Sequence, residues 1–297
     1  MRRFTGGGTR PMKPPPFDYV EPDDLESAVG VLAADDEALA LAGGQSLVPM
    51  LNFRLARPTT LVGLRRLGLN RIEQSETELR VGAMATQSEA LNSEQLRSAC
   101  PLAVEALRHI GHPQIRSRGT IGGTTAHADP AAELPAALLA LDGAVAVRGP
   151  GGDRTVPAQD LYRGPYMTSL RPGELITEVV FPVAGPRTGA ACIEITRRAG
   201  DFALAGVACQ LTLGEDHTIA DARVALFAIA GAPRRARAAE TSLAGAAATD
   251  TAFVDAGKLA LDEWGGQAGA TEEGRYRVRV VPTIVRRALA AAADRAR

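Results

Sequence analysis

Two glycine pairs, Gly43-Gly44 and Gly122-Gly123, constrain this chain more than any other feature. Each joins an apolar segment to hydroxyl or amide side chains, in Ala42-Gly43-Gly44-Gln45-Ser46 and in Thr120-Ile121-Gly122-Gly123-Thr124. Glycine has no Cβ, so backbone there can approach a ligand closely and can adopt φ > 0 without strain. Oriented N–H groups of that kind bind anions through fixed dipoles, with no lysine required. Two such loops predict a ligand gripped from both sides, and a dinucleotide diphosphate suits them.

Two commoner phosphate sites are excluded by spacing. There is no GxGxxG, and Pro49 interrupts the helix that a Rossmann turn would open. No Gly-Lys-Ser/Thr occurs, so a P-loop is absent too. The 33 Lys and Arg nearly balance the 34 Asp and Glu and are interspersed with them, which argues against a nucleic-acid partner or an anionic membrane surface. No apolar run approaches the ~20 residues of a membrane span. Cys100, Cys192 and Cys209 are far apart and form no CxxC pair, so they read as small buried hydrophobes in a reducing cytoplasm rather than as cluster or zinc ligands. Arg2-Arg3 has no apolar region after it and is not an export signal. Residues 1–11 read as a disordered extension.

Along the chain, a helix capped by Asp23 or Asp24 runs to about Ala34, with Leu25, Ala28, Val29 and Leu32 on one face. A strand at Ala38–Ala42 feeds the first glycine pair, and Thr60–Leu64 is a second strand. This makes an α/β unit over 12–66. A second unit, 67–182, carries strands near Leu79–Ala83, Ala144–Arg148, Arg154–Val156 and Leu175–Phe181 and helices at Thr86–Asn92, Pro101–Ile110 and Glu133–Leu141. Val183 to Gly189 is the best linker. Beyond it, over 188–297, Leu204–Leu213 and Thr218–Ile229 read as a hairpin, with helices at about Arg235–Leu243, Thr251–Glu263 and Val281–Arg295. That predicts an antiparallel sheet with helices on one side, an α+β arrangement.

With their flanks the two loops become specific. Ala42 to Pro49 resembles the first flavin loop of the flavoprotein subunits of molybdenum hydroxylases, a family that includes the xanthine and carbon monoxide dehydrogenases. The run from Ile115-Arg116 through Gly119 to Thr124, and on through Ala126-His127-Ala128-Asp129-Pro130 to Pro135, resembles the second. Met12 to Tyr19 and Arg197-Arg198-Ala199-Gly200-Asp201-Phe202-Ala203 are further matches, so the resemblance extends from Met12 to the C-terminus. It implies an α+β fold: a two-subdomain FAD-binding fold of the vanillyl-alcohol-oxidase (PCMH) type, then a C-terminal α+β domain.

By the same resemblance, Ala42, Gly43, Gly44, Gln45 and Ser46 and Thr120, Ile121, Gly122, Gly123 and Thr124 wrap the FAD diphosphate and ribityl chain. Glu133 makes a polar contact to the cofactor, Ile176 lies against it, and Phe202 covers the isoalloxazine ring. Glu194 stands near the ring where some relatives carry lysine, and a carboxylate there would lower the flavin potential; a solvent-facing strand residue is the plainer alternative. No catalytic acid or base and no metal ligand is expected. His127 reads as a loop hydrogen-bonder, while His109, His112 and His217 are dispersed. Asp129 is expected to cap the helix after it, and Arg116 to pair within its loop. Tyr166 is read either as bordering the flavin's open face or as a packed loop aromatic.

The resemblance implies an oxidoreductase subunit that relays electrons. A molybdopterin-binding large subunit would oxidise substrate, a small subunit with a 2Fe-2S cluster would pass single electrons, and FAD held here would release them to an external acceptor. The stretch Ala128–Pro135 is nearer to the N-heterocycle hydroxylases, which points first to nicotine-, caffeine- and quinoline-type substrates. Two alternatives stay open: a self-sufficient flavin oxidase or dehydrogenase of the same fold, and a non-enzymatic module that has lost the cofactor.

Overall fold

The computed structural model describes residues 13–264 and 271–297; the expected N-terminal extension lies outside them. The first unit runs β1 (Asp18–Val20), α1 (Leu25–Ala34), β2 (Leu39–Leu41), α2 (Leu47–Asn52) and β3 (Thr60–Gly63). Its strands are parallel in the order β1-β3-β2, and α1 and α2 provide the crossovers that parallel pairing needs. Helix α1 starts where Asp24 accepts a 2.7 Å hydrogen bond from the Ser27 amide. Ala28, Val29 and Leu32 carry its buried face into a core with Val62 and Leu175. Gly30 lies on the exposed side, and a Cβ built there meets nothing within 4 Å. Gly30→Ala should therefore stabilise the chain by about 0.5–1 kcal/mol. The check is a rise in urea midpoint at unchanged slope; an unmoved midpoint refutes it.

The second unit begins with β4 (Ile72–Gln74), β5 (Glu78–Gly82), α3 (Gln87–Asn92), α4 (Glu94–Ala99), α5 (Pro101–His109) and α6 (Pro113–Arg116). It continues with α7 (Ile121–His127), α8 (Glu133–Ala140), β6 (Ala144–Gly149), β7 (Gly152–Pro157), α9 (Ala158–Leu161), β8 (Tyr162–Gly164), β9 (Met167–Thr168) and β10 (Leu175–Pro182). Five of its strands form an antiparallel sheet in the order β4-β5-β10-β6-β7. A register shift on β10 between Ile176 and Glu178 bulges the strand at Thr177, next to Ile176, the kind of irregularity that re-aims a side chain. Helices α5 and α8 are the core of this unit, and every residue of α8 is buried.

The third unit is β11 (Thr188–Ile195), β12 (Ala205–Leu213), β13 (Ile219–Phe227), β14 (Arg234–Arg235), α10 (Arg237–Leu243), α11 (Asp250–Trp264) and α12 (Glu272–Ala296). Its sheet is antiparallel in strand order. Helices lie on one side, as expected, but the other side is buried as well. Val207, Cys209, Leu211, Val224 and Leu226 face α11 and α12. The residues between them, Ala190, Cys192, Ala208, Ala225 and Phe227, join the core built by α5 and α8. The outcome is a three-layer helix–sheet–helix sandwich that runs across the linker.

Two elements differ from the sequence reading. Strand β11 occupies a segment given no element beyond the strand reading of Glu194, and the expected linker is tethered, with Val183 N bonded to Thr77 O and Ala184 N to Ala99 O. Helix α12 starts nine residues before Val281, at Glu272, capped by Thr271, whose hydroxyl accepts from Gly274 N at 3.0 Å. Pro282 then sits inside the helix, where it removes one donor. Its carbonyl side is covered by α11 at Gly257, where a Cβ would stand 2.6 Å from Pro282 O. No helix among the described residues is long and apolar enough to cross a membrane.

Candidate flavin site

The two glycine segments meet. A Cβ placed on Gly43 would lie 2.8 Å from the carbonyl carbon of Arg118 and 2.9 Å from the Cα of Gly119, so only glycine allows this approach of two backbones. Gly44 has φ +70°, the left-handed region that glycine enters freely. Around this junction lies a cleft of about 670 Å³, within the usual range for cofactor sites. Of the fourteen residues expected at a cofactor, twelve line it: Ala42, Gly43, Gly44, Gln45, Ser46, Thr120, Gly122, Gly123, Thr124, Glu133, Ile176 and Phe202.

The two segments contribute differently, and here the sequence reading needs correction. The amides of the second segment are spent inside the protein. Ile121 N donates to Ala85 O, Gly122 N to Ala83 O, Gly123 N to the Thr120 hydroxyl and Thr124 N to Thr120 O. The segment is the capped start of α7 rather than a loop of free donors. Among the described residues, by contrast, the backbone N–H groups of Gly43, Gly44, Gln45 and Ser46 donate to no protein acceptor. Ser46 and Thr124 also line the cleft, as does Gln87, whose buried Oε1 has no partner. Among the described residues, no lysine or arginine lines it. An anion here is met by neutral donors, and unsatisfied buried polar groups of this kind are what a bound ligand completes.

Ile121 and Glu194 do not line the cleft. The Ile121 side chain is buried in the core beneath it. Glu194 is neither a wall residue nor a solvent-facing one: its side chain is 6% exposed, its Oε1 lies 3.4 Å from His109 Nδ1, and its Oε2 is buried without a partner. His109 Nε2 lies 2.9 Å from Cys192 O. The hydrogen bond and charge of Glu194 raise the His109 pKa against the opposing effect of burial. Glu133, the first residue of α8, is on the wall. Burial, reinforced by Glu194 and Asp129 and opposed by its own amide and His109, pushes its carboxyl up to about 8. Burial thus favours the neutral acid over the carboxylate at this wall.

His127 lines the cleft with its pKa lowered by burial, and its ring packs on Tyr166 at 5.2 Å between centroids. Tyr166 is off the wall, with its hydroxyl 3.4 Å from Asp129 Oδ2. Asp129 accepts from Ala131 N and so closes a turn rather than capping α8, whose N-cap is Ala132. Arg116 donates to the carbonyls of Ile110 and Gly111 and staples its loop. Phe202 lines the cleft and is 76% exposed, a large aromatic left mostly uncovered.

Comparison with known proteins agrees with this geometry. Residues 15–184 match the model for the FAD binding domain in molybdopterin dehydrogenase, and residues 190–292 match the CO dehydrogenase flavoprotein C-terminal domain. The chain belongs to the FAD-binding subunits of the molybdenum hydroxylases. FAD is its cofactor, and it is part of an oxidoreductase. It is 40% identical to the 6-hydroxypseudooxynicotine dehydrogenase complex subunit alpha of Paenarthrobacter nicotinovorans, over 96% of this chain and 97% of that protein. A structure of CO dehydrogenase from Oligotropha carboxidovorans superposes with a TM-score of 0.91 at 36% identity, covering 95% of this chain and 99% of that one. Quinoline 2-oxidoreductase from Pseudomonas putida 86 gives 0.90 at 33% identity, over 96% and 99%. The expected fold, an FAD-binding domain followed by a C-terminal α+β domain, is the fold of these subunits.

Proposed function

We propose that this flavoprotein subunit relays electrons within a three-part hydroxylase, from a 2Fe-2S subunit to an external acceptor, with substrate oxidised on a molybdopterin-binding subunit. The observation that supports this most is the cleft itself: a wall of unspent amides at Gly43 to Ser46 beside the hydroxyls of Ser46 and Thr124. FAD supplies the exchange between single and paired electrons. The chain's residues do the rest. Gly43 to Ser46 and Thr124 meet the diphosphate, Ile176 and Phe202 bound the ring, and Phe202 leaves the mouth accessible to an acceptor.

The cysteines support an outside source of clusters. Cys100 and Cys209 are free and buried with thiols pushed up to about 12, and the buried free Cys192 is also raised. The relatives point to a substrate class: one is named for a nicotine derivative and one for quinoline. An N-heterocycle is therefore the substrate class to try first.

The chain purified alone should take up FAD, turn yellow and remain oxidised with N-heterocycles until both partner chains are added. Reduction by substrate without partners, or failure to take up FAD, would overturn the proposal. Phe202→Ala should keep the cofactor and change its fluorescence, because the ring loses its cover. An unchanged emission spectrum in that variant would place Phe202 away from the flavin.

A further inference from the structure

Phe202 stands on a short loop, 196–204, between β11 and β12 of the third unit. Leu204 N donates to Ile195 O at 2.7 Å and closes the base of the loop, and Asp201 N donates to Arg198 O at 3.1 Å and tightens its tip. Gly200, Asp201 and Phe202 all line the cleft. The segment between α5 and α6 lines it from the second unit, through Ile110 and Gly111. Loop and segment border the same cleft, and they meet where the His112 ring lies against Gly200.

That contact dictates the residue at 200. A Cβ built on Gly200 would stand 2.7 Å from His112 Nδ1 and 2.9 Å from its Nε2, and φ there is +84°, a region that L side chains avoid. Bare backbone thus lies directly on the edge of the imidazole. His112 is itself held in place. It is the extended N-cap residue of α6, and its carbonyl accepts from Ile115 N at 2.9 Å and Arg116 N at 3.1 Å. On the other side of Phe202, Ala203 is 4% exposed and packs into the core with α5 and α8. Phe202 is therefore clasped between two fixed points, Ala203 after it and Gly200 before it. A further tie, Arg197 to Glu273 of α12, is a long 3.9 Å pair between exposed side chains and contributes little.

We propose that His112 is a positioning residue for Phe202: its ring sets where the loop stops at the cleft, and so how much of the bound flavin solvent and an electron acceptor can reach. The inference rests on the flavin site proposed above. His112 is not among the residues that line the cleft, and it acts through the loop. The contact is one of shape, a flat edge against a residue with no side chain, so a planar amide of similar reach serves in place of the imidazole.

Iodide quenching of flavin fluorescence in the FAD-loaded full chain measures that access, and Phe202→Ala sets its scale. His112→Ala should keep its FAD content and show about half or more of the rise in quenching constant given by Phe202→Ala. Combining the two should give no more than Phe202→Ala alone, the non-additivity expected of residues joined by contact. Gly200→Ala, whose methyl meets the ring, should raise quenching as well, and His112→Gln should keep most of the wild-type shielding. A general loosening of the fold would instead add to the effect of Phe202→Ala. Wild-type quenching in His112→Ala, or a rise that adds in full to that of Phe202→Ala, would overturn the positioning role. A wild-type chain that holds no FAD, or a Phe202→Ala variant with unchanged quenching, would overturn the flavin site or the placement of Phe202, and the proposal with it.

Discussion

Gly43→Ala should cost the chain its flavin. The added methyl would be directed at the Arg118 carbonyl and would lie 2.9 Å from the Gly119 Cα, and no rotamer can move a Cβ aside. The first segment must then retreat from the second, taking with it the four unspent amides of residues that line the cleft. A hundredfold loss of FAD affinity, about 2.7 kcal/mol, is the expected scale. It is measured as cofactor content after gel filtration and by fluorescence titration. Gly30→Ala provides the matched control, since the same methyl there meets nothing. Equal affinity in the two variants would show that the glycine junction does not shape the site. The Gly122 methyl would press on Ala83, 2.8 Å from its Cα, so its replacement acts by displacing α7 from the end of β5 rather than by filling ligand space.

Arg235→Met should unfold the chain more readily than any surface substitution. Arg235 and Glu240 have side chains 7% and 8% exposed and are paired through Nε at 2.5 Å and Nη2 at 2.9 Å. Glu240 also accepts from the Val224 amide at 2.8 Å, and Arg235 reaches Leu139 O and Asp142 at the end of α8. Removing the guanidinium leaves a buried carboxylate with the Val224 amide and a long 3.4 Å contact from Arg237 Nη1, and cuts a tie between the second and third units. A loss of about 3–5 kcal/mol is expected from denaturant melts. Arg235→Met combined with Glu240→Leu should recover most of that loss, because the stranded charge is gone; the Val224 amide keeps part of it. A single-variant loss below about 1 kcal/mol would mean that the pair is solvated in solution.

Much of this was legible before any coordinates. The helix cap, which falls on Asp24 of the two aspartates offered, and the hairpin around Gly214 are local signals, and each falls where the sequence puts it. Both glycine segments also come together as expected. What stayed hidden depends on long-range packing. Strand β11 is apolar on both faces, with Ala190 and Cys192 turned to one core and Ala191 and Ile193 to the other, so it shows no alternation to read. The His109–Glu194 contact joins residues far apart in sequence that meet only when α5 is laid across β11. Thr120 as a cap was readable in principle: a threonine three residues before Gly123 is an ordinary helix start, masked by the glycine pair. For the same reason the amides of that segment were assigned to the ligand when α7 already uses them.

The seam between α5 and α8 and the sheet of the third unit is made largely of alanine and cysteine, with Phe227 filling it. Small side chains bring helix and strand backbones close over a broad dry contact, and a contact of that sort has no partly open form: separating it would wet Phe227 and the whole α8 surface at once. The two family segments are therefore welded rather than hinged. Any opening of the cleft must then come from movement of the first unit against the second, whose junction is the close approach of Gly43 to Arg118, and not from parting of the two family segments.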